Sequence, residues 1–275
     1  MKIMTDTGSL IGVEEAQRLD IELIPLQVEV AGTNYRDYLD ITVEKFVEFT
    51  KTDRALTSLP SIGQMMQIYD QYKEGLHICV AKGLSSTHDV AASALGELDT
   101  NVVLYNSKSL VGTQRYLVLL AKRLSEKHSV EEIIRRMDKC LLDCQSFLIP
   151  VDFNFLKRSG RLSPLAATFA GLMGIKPILT FKPGMERLDK FGVGRTWPQA
   201  FDHILRKMAE SAVSIKHKIY IVHAMNLETA KMLEDKLIQK FGQLDIETLS
   251  FSPVLMALGG PGCVAVQYIL RDDDE

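Results

Sequence analysis

The chain has 275 residues, of which 46% are hydrophobic and 24% are charged, a balance typical of a globular protein with a sizeable core. Its 18 glycines and 9 prolines are too few for a low-complexity or collagen-like chain, which excludes disorder and fibrous structure. A formal net charge of −3 argues against general affinity for nucleic acid.

Short β-rich segments alternate with helical patterns in the first half of the chain. The predicted strands are residues 3–5, 22–30, 77–81, 101–105 and 146–151. The predicted helices are residues 13–19, 43–50, 62–72, 89–98, 110–126 and 130–143. This alternation indicates an α/β protein with a parallel sheet that is covered by helices.

Helices and strands alternate again in the second half. The predicted helices are 164–173, 196–214 and 228–241, and the predicted strands are 177–181, 218–224, 245–250 and 263–270. We therefore expect an N-terminal α/β domain over residues 1–148 and a C-terminal α/β domain over residues 149–275. The uncharged segment 248–270 is long enough for a membrane span, but Pro253 and the Gly-Gly-Pro-Gly sequence at 259–262 would break such a helix. Two buried strands around a glycine turn are expected there instead.

The cysteines and the N-terminus indicate a cytoplasmic protein. No second cysteine pair or nearby histidine completes a zinc set beside Cys140 and Cys144, so we expect no metal site. Scattered thiols are typical of buried cysteines in a reducing compartment. Because the N-terminus lacks the apolar run of a signal peptide, we expect neither secretion nor stable membrane insertion.

Positive charge is concentrated in residues 153–200, which hold eight basic and two acidic residues, a net charge of +6. A local basic surface on an acidic protein indicates an anionic ligand or partner. An ordinary solvated face of lysine and arginine is an equally good interpretation of the charge alone.

Two hydroxyl-rich segments precede predicted helices. The first consists of Ser85, Ser86, Thr87 and His88, and the second of Thr57, Ser58, Leu59, Pro60 and Ser61. Free backbone N–H groups and the helix dipole favour an anion at such helix starts, so the pair predicts a carboxylate or phosphate site. The structural alternative is two ordinary caps in separate places, and Ser61 with Gln64 has the spacing of a capping box.

Taken in chain order, these segments resemble the DegV family of bacterial fatty-acid-binding proteins. Its motifs have counterparts at Asp6-Thr7-Gly8, Thr57-Ser58-Leu59-Pro60-Ser61, Leu84-Ser85-Ser86-Thr87, Leu156-Lys157-Arg158-Ser159-Gly160-Arg161, Ile175-Lys176-Pro177-Ile178-Leu179, Arg195-Thr196 and Gly260-Pro261-Gly262. The resemblance implies a two-domain DegV-like α/β fold, with a parallel-sheet N-terminal domain, an α/β C-terminal domain and a ligand tunnel between them. It also implies a lipid-binding protein that is not an enzyme and needs no cofactor, and that presents a long-chain fatty acid to a separate fatty acid kinase for acyl phosphate formation.

The resemblance implies roles for individual residues. Thr57 and Ser85 would hydrogen-bond the carboxylate, and Arg195 would dock the kinase, with Arg161 on the same basic surface. The other ligand-binding residues that we expect are Ser58, Ser86, His88, Met173, Leu258 and Gly260.

Some positions depart from the family pattern. Leu258 stands where the family has the histidine of a His-x-Gly-Pro-Gly motif, which removes a partner of the carboxylate or the acyl phosphate. Leu59 replaces a glutamine, Ser86 a glycine and His88 an aromatic residue. We expect lipid binding to tolerate these changes more readily than phosphotransfer does, and His88 to reach the head group in compensation.

Two other functions are compatible with the same residues. Ser85 would be the nucleophile of an acyl hydrolase or transferase if a base lay within about 3 Å, and His88 is the nearby candidate. The helix starts would equally suit a small phosphorylated metabolite. Asp6, in the Asp-Thr-Gly sequence, is either a catalytic residue or the first residue of an Asx turn. The sequence has no G-x-S-x-G elbow, no Walker loop and no G-x-G-x-x-G fingerprint.

Overall fold

The computed structural model describes residues 1–169 and 174–272. The chain divides into a first unit, Met1–Asp138 with Ser252–Ala257, and a second unit, Lys139–Phe251 with Leu258–Glu275. Each unit has its own main sheet. The chain therefore enters the first unit a second time, through a short segment near its C-terminal end.

Strands and helices alternate along the first unit. Its strands are β1 (Lys2–Asp6), β2 (Ile21–Ile24), β3 (Gln27–Val30), β4 (Thr33–Arg36), β5 (Leu56–Ser58), β6 (Glu74–Cys79) and β7 (Asn101–Asn106). Its helices are α1 (Val13–Arg18), α2 (Val43–Phe49), α3 (Ile62–Tyr69), α4 (Thr87–Leu95) and α5 (Val111–Leu124), and α6 (Val130–Leu141) runs on into the second unit.

Two sheets are present in the first unit. The main sheet is parallel, in the order β2-β1-β6-β7, which confirms the prediction from the alternating pattern. A separate antiparallel sheet has the order β4-β3-β5. The prediction of one strand over residues 22–30 is wrong, because the chain changes sheets at Pro25 and Leu26. Pro25 has no N–H for a ladder, and the Leu26 N–H donates to the Thr7 hydroxyl at 3.2 Å.

Helices α3 and α4 cover one face of the parallel sheet. The buried residues of this layer are Met4, Ile24, Met65, Tyr69, Ala91, Ala94 and Val102. The start of α3 is fixed by the predicted capping box, since the Ser61 N–H donates to Gln64 Oε1 at 3.0 Å and the Gln64 N–H donates to Ser61 Oγ at 3.2 Å. Tyr69 of this layer contacts a polar residue of β6, since its Oη lies 2.7 Å from His77 Nδ1.

The second unit is built around a mixed sheet. Its strands are β8 (Cys144–Ile149), β9 (Lys176–Phe181), β10 (Asp189–Gly194), β11 (His217–His223), β12 (Asp245–Ser250) and β13 (Val264–Leu270). The remaining helices are α7 (Phe153–Ser159), α8 (Trp197–Glu210), α9 (Leu227–Phe241) and α10 (Pro253–Gly259).

The strand order of the mixed sheet is β10-β9-β8-β13-β11-β12. Strands β11 and β12 are parallel, and the other described pairs are antiparallel. Because β8 pairs with both β9 and β13, the predicted domain boundary after residue 148 would fall inside a strand. That boundary stays a prediction.

The apolar face of α8 packs against this sheet. Phe201, Ile204, Leu205 and Met208 are buried with residues of β8, β11 and β13 in one cluster. Trp197 is partly buried beside them, with its ring 5.7 Å from that of Phe201. The helical stripe therefore forms core, as its spacing indicates.

The uncharged segment 248–270 differs from its prediction. Helix α10 lies between β12 and the glycine turn, where two strands alone were expected. Pro253 is the first residue of α10, a position where the missing proline N–H costs no hydrogen bond. The proline that would break a membrane-spanning helix therefore begins a short one. Among the described residues, no helix is long and apolar enough to cross a bilayer.

The helix predicted over residues 164–173 is only partly described. Its described part contains a short 3₁₀ helix at Ala166–Phe169. Met173, which was expected to line the lipid site, lies outside the described residues.

Candidate functional site

Asp6 ends β1 at the carboxyl edge of the parallel sheet, where ligands usually bind in α/β folds. Its carboxylate is fully buried and accepts hydrogen bonds from the Val80 N–H at 2.7 Å, the Gly8 N–H at 2.9 Å and Gln114 Nε2 at 3.1 Å. Burial raises the pKa of Asp6 to about 6, against the effect of these donors. The bond to the Gly8 N–H is the Asx turn that was the structural interpretation of this motif.

Ser85 lies just before α4 and is half-buried. Its Oγ accepts from the Thr87 N–H at 3.3 Å and lies 2.8 Å from the Thr87 hydroxyl, so it contacts the first residue of α4. When Thr87 donates in the hydroxyl pair, the Ser85 proton is free for a ligand oxygen. Ser86 is exposed and makes no side-chain cap bond.

His88 lies in the first turn of α4 with a half-buried imidazole. Its Nδ1 is 3.7 Å from Asp89 Oδ1, and Asp89 forms an ion pair with Lys82 at 2.8 Å. Burial, aided by the charge of Lys82, lowers the pKa of His88, so the neutral ring is favoured. Within the described residues, the Ser85 hydroxyl bonds to Thr87 and to no imidazole, an arrangement that offers no support for a serine nucleophile.

Thr57 and Ser58 lie on β5 and not at a helix start as expected. Thr57 is half-buried and pairs with Val28, while Ser58 is exposed and pairs with Gln27. Ser61 alone caps α3. No hydrogen bond joins the Thr57 and Ser85 side chains in the described part of the chain, so their convergence on one carboxylate stays a prediction.

The glycine turn of the second unit is tightly packed. Gly260 has φ +82°, and a Cβ there would lie 3.0 Å from the ring of Phe155 in α7, so both conformation and space require glycine. Asn226 Nδ2 donates to the Gly262 carbonyl at 2.7 Å, and the Gly262 N–H donates to the Ala224 carbonyl at 2.8 Å. Leu258, at the end of α10, is half-buried.

The two arginines expected on the basic surface have different surroundings. Arg161 is half-buried, and its guanidinium donates to the Ser159 carbonyl near the end of α7. Arg195 is exposed at the start of α8, and among the described residues only its backbone N–H is engaged, with Gln199 Oε1 at 3.0 Å. A partner can therefore reach the Arg195 guanidinium without breaking an existing contact.

A buried polar cluster in the first unit was missed by sequence reasoning. One ligand atom each from Asp6, His77 and Cys79 lies within 4.8 Å of the others, and all three residues are buried. Tyr69 Oη lies 2.7 Å from His77 Nδ1. Burial raises the pKa of Cys79 and lowers that of His77 to about 3. The available signal was the spacing of His77 and Cys79, two apart and hence on one face of a strand.

The similarity to known proteins extends over almost the whole chain, as the motifs do. A family model with the description "Uncharacterised protein, DegV family" matches residues 1–271. The chain belongs to the DegV family. A DegV domain-containing protein of Staphylococcus aureus (strain N315) is 28% identical over 276 residues, covering 98% of both chains.

Solved DegV structures have the same fold. The crystal structure of DegV from Bacillus subtilis, described as a fatty acid binding protein, matches with a TM-score of 0.87 and 25% identity, covering 98% of this chain and 99% of that one. A stearic acid-binding protein from Eubacterium ventriosum matches with a TM-score of 0.87 and 21% identity, covering 98% of both. These matches confirm the α/β fold with a parallel N-terminal sheet and a mixed C-terminal sheet.

Proposed function

We propose that this DegV protein binds a long-chain fatty acid and presents its carboxylate to a fatty acid kinase, which forms the acyl phosphate. The main support is the Bacillus subtilis DegV protein, described as fatty acid binding, which matches 98% of this chain. The tunnel that the resemblance implies belongs to this proposal, and catalysis rests with the separate kinase.

Binding energy would come mainly from the acyl chain. Burial of about 14 methylenes at ~0.8 kcal/mol each contributes roughly 11 kcal/mol before the costs of association. The Thr57 and Ser85 hydroxyls then need only to orient the carboxylate. Neutral donors also leave the carboxylate nucleophilic, because no full positive charge neutralises it.

Replacing Ser85 with alanine is expected to weaken fatty acid binding roughly 10-fold, because one hydrogen bond to a carboxylate is lost. Thr57→Ala is expected to act in the same direction. The measurement is native mass spectrometry of the purified protein, followed by titration of the extracted protein with a long-chain fatty acid. Ser93→Ala is the control, since Ser93 lies on the same helix and its hydroxyl donates to the Asp89 carbonyl at 3.0 Å.

Wild-type protein that carries no fatty acid and takes none up would contradict the proposal. A phosphorylated metabolite in the same spectra would then be the better ligand. Unchanged affinity in both hydroxyl variants, beside a functional wild type, would show that the head group lies elsewhere.

Arg195→Glu is expected to lower acyl phosphate formation by about 10-fold while fatty acid affinity stays unchanged, because an exposed charge acts on encounter with the partner. The assay couples the loaded protein to a fatty acid kinase at low and high salt. Lys231→Glu is a suitable control, because Lys231 is an exposed basic residue on α9 in the same unit. Equal losses in both variants would argue against a docking role for Arg195.

A further inference from the structure

Three potential metal ligands meet in the core of the first unit, on two neighbouring strands. Asp6 ends β1, whereas His77 and Cys79 lie two residues apart on β6, and the parallel register pairs Thr5 with Ile78. Asp6 and Cys79 are therefore at the same level of the sheet, with side chains on one face. Their ligand atoms and that of His77 lie within 4.8 Å of one another.

Each of these groups is held in place by a neighbour. Asp6 accepts the three N–H donors from Gly8, Val80 and Gln114 described above. Tyr69 Oη bonds to His77 Nδ1 at 2.7 Å, which fixes the orientation of the ring. Cys79 Sγ lies 3.6 Å from the same nitrogen. Hydrogen bonds of this kind orient the ligands of metal ions in proteins.

The His77 ring has a polar atom that the fold leaves unsatisfied. His77 is fully buried, and its Nε2 has no hydrogen-bond partner in the described structure. A buried nitrogen without a partner is destabilising, and neither fatty acid binding nor docking uses His77. A ligand at this position would remove that cost.

We propose that Asp6, His77 and Cys79 bind a Zn²⁺ ion, with one imidazole nitrogen of His77 as a ligand. Mixed sulfur, nitrogen and oxygen ligands suit zinc, whereas magnesium and calcium require oxygen ligands. In a tetrahedral zinc site the ligand atoms are about 3.5 Å apart, so side-chain adjustments within the cluster are sufficient. Binding converts the Cys79 thiol to a thiolate and releases its proton to solvent, and water completes the coordination.

The ion would join β1 to β6 below the carboxyl edge of the sheet. Entry is expected during folding, because the three ligands are buried in the folded chain. The zinc proposal does not depend on the proposed lipid function.

The test compares two buried cysteines. The full-length chain is unfolded, refolded with zinc chloride, passed over a chelating resin and analysed for zinc by plasma mass spectrometry. Wild type and Cys263→Ser are expected to retain close to one zinc ion per chain. Cys79→Ser is expected to lose more than about 100-fold in zinc affinity, since a ligand itself is replaced. Cys263 is an appropriate control because it is also buried and lies in the second unit.

Cobalt refolding tests the ligand set without relying on a variant that folds. Wild type refolded with Co²⁺ is expected to show the near-ultraviolet thiolate-to-cobalt band and the visible bands of tetrahedral cobalt. A wild type that retains no zinc, or cobalt bound without a thiolate band, overturns the proposal, as does undiminished zinc in Cys79→Ser. Extracted fatty acid is measured in the same samples, so failure of the zinc site and failure of the lipid function are distinguished.

Discussion

Replacing Gly194 with alanine is expected to lower the free energy of unfolding by about 3 kcal/mol, near the upper end for overpacking. Gly194 is the last residue of β10, and a Cβ there would lie 2.5 Å from the backbone nitrogen of Ala200 in α8. Backbone cannot move aside as a flexible side chain does, so strand and helix must separate. Arg195 follows directly, and we expect the variant to displace it as well.

Urea unfolding of the full-length chain measures this effect, with Gly63→Ala as the control. A Cβ at Gly63 meets no atom of the described residues within 4 Å, and Gly63 lies inside α3, where alanine is the better helix former. That variant is expected to be neutral or slightly more stable. Equal midpoints for Gly194→Ala and wild type would show that the contact between β10 and α8 relaxes at little cost.

Replacing Asp37 with asparagine is expected to stabilise the protein relative to wild type progressively as the pH rises from 4 to 7. Asp37 is fully buried, and burial raises its pKa from 3.8 to about 6. The Val254 N–H donates to Asp37 Oδ1 at 3.2 Å and opposes this rise. Because the fold favours the protonated acid, this contribution to stability is present below pH 3.8 and is lost as the pH rises through 6.

The size of the change follows from the pKa. At 1.36 kcal/mol per pKa unit, the rise from 3.8 to about 6 changes the stability of the variant relative to wild type by about 3 kcal/mol. Most of this change falls between pH 4 and 7. Asparagine retains an oxygen that can accept from the Val254 N–H, so the cap of α10 is preserved. The measurement is the difference in unfolding free energy between variant and wild type at several pH values.

Asp40→Asn provides a control of opposite sign. The Arg36 guanidinium holds the pKa of Asp40 at about 2, so its contribution is present above pH 3.8 and is lost as the pH falls. A difference between Asp37→Asn and wild type that stays constant over the whole range would mean that Asp37 is not protonated in the folded protein near pH 6.

The fold could be predicted wherever local pattern and tertiary packing agree. The stripe of α8 and the capping box of Ser61 and Gln64 gave correct helices, because both depend on neighbours in sequence. The strand break at Pro25 and the helix starting at Pro253 were missed. A proline is compatible with an edge, a break or a first turn, and only the surrounding chain decides which of these it forms.

The residues of the candidate site also differ in how far the sequence could predict them. The glycine at 260 could be recognised from its motif, since its backbone conformation is a local property. Exposed Arg195 and half-buried Arg161 are indistinguishable in sequence, because their difference comes from the carbonyl that Arg161 contacts in the fold. Asp6 and the pair His77 and Cys79 are about 70 residues apart in the chain, and sheet order alone makes them neighbours.

The return of residues Ser252–Ala257 to the first unit has a consequence for biosynthesis. During translation, the first 138 residues emerge long before this segment. The first unit therefore stays incomplete while most of the second unit is synthesised. Until then Asp37 lacks the Val254 N–H, and its carboxylate has no α10 to cap. A ribosome-bound chain arrested before residue 252 would therefore expose a gap in the first unit, which a chaperone could cover until synthesis is nearly complete.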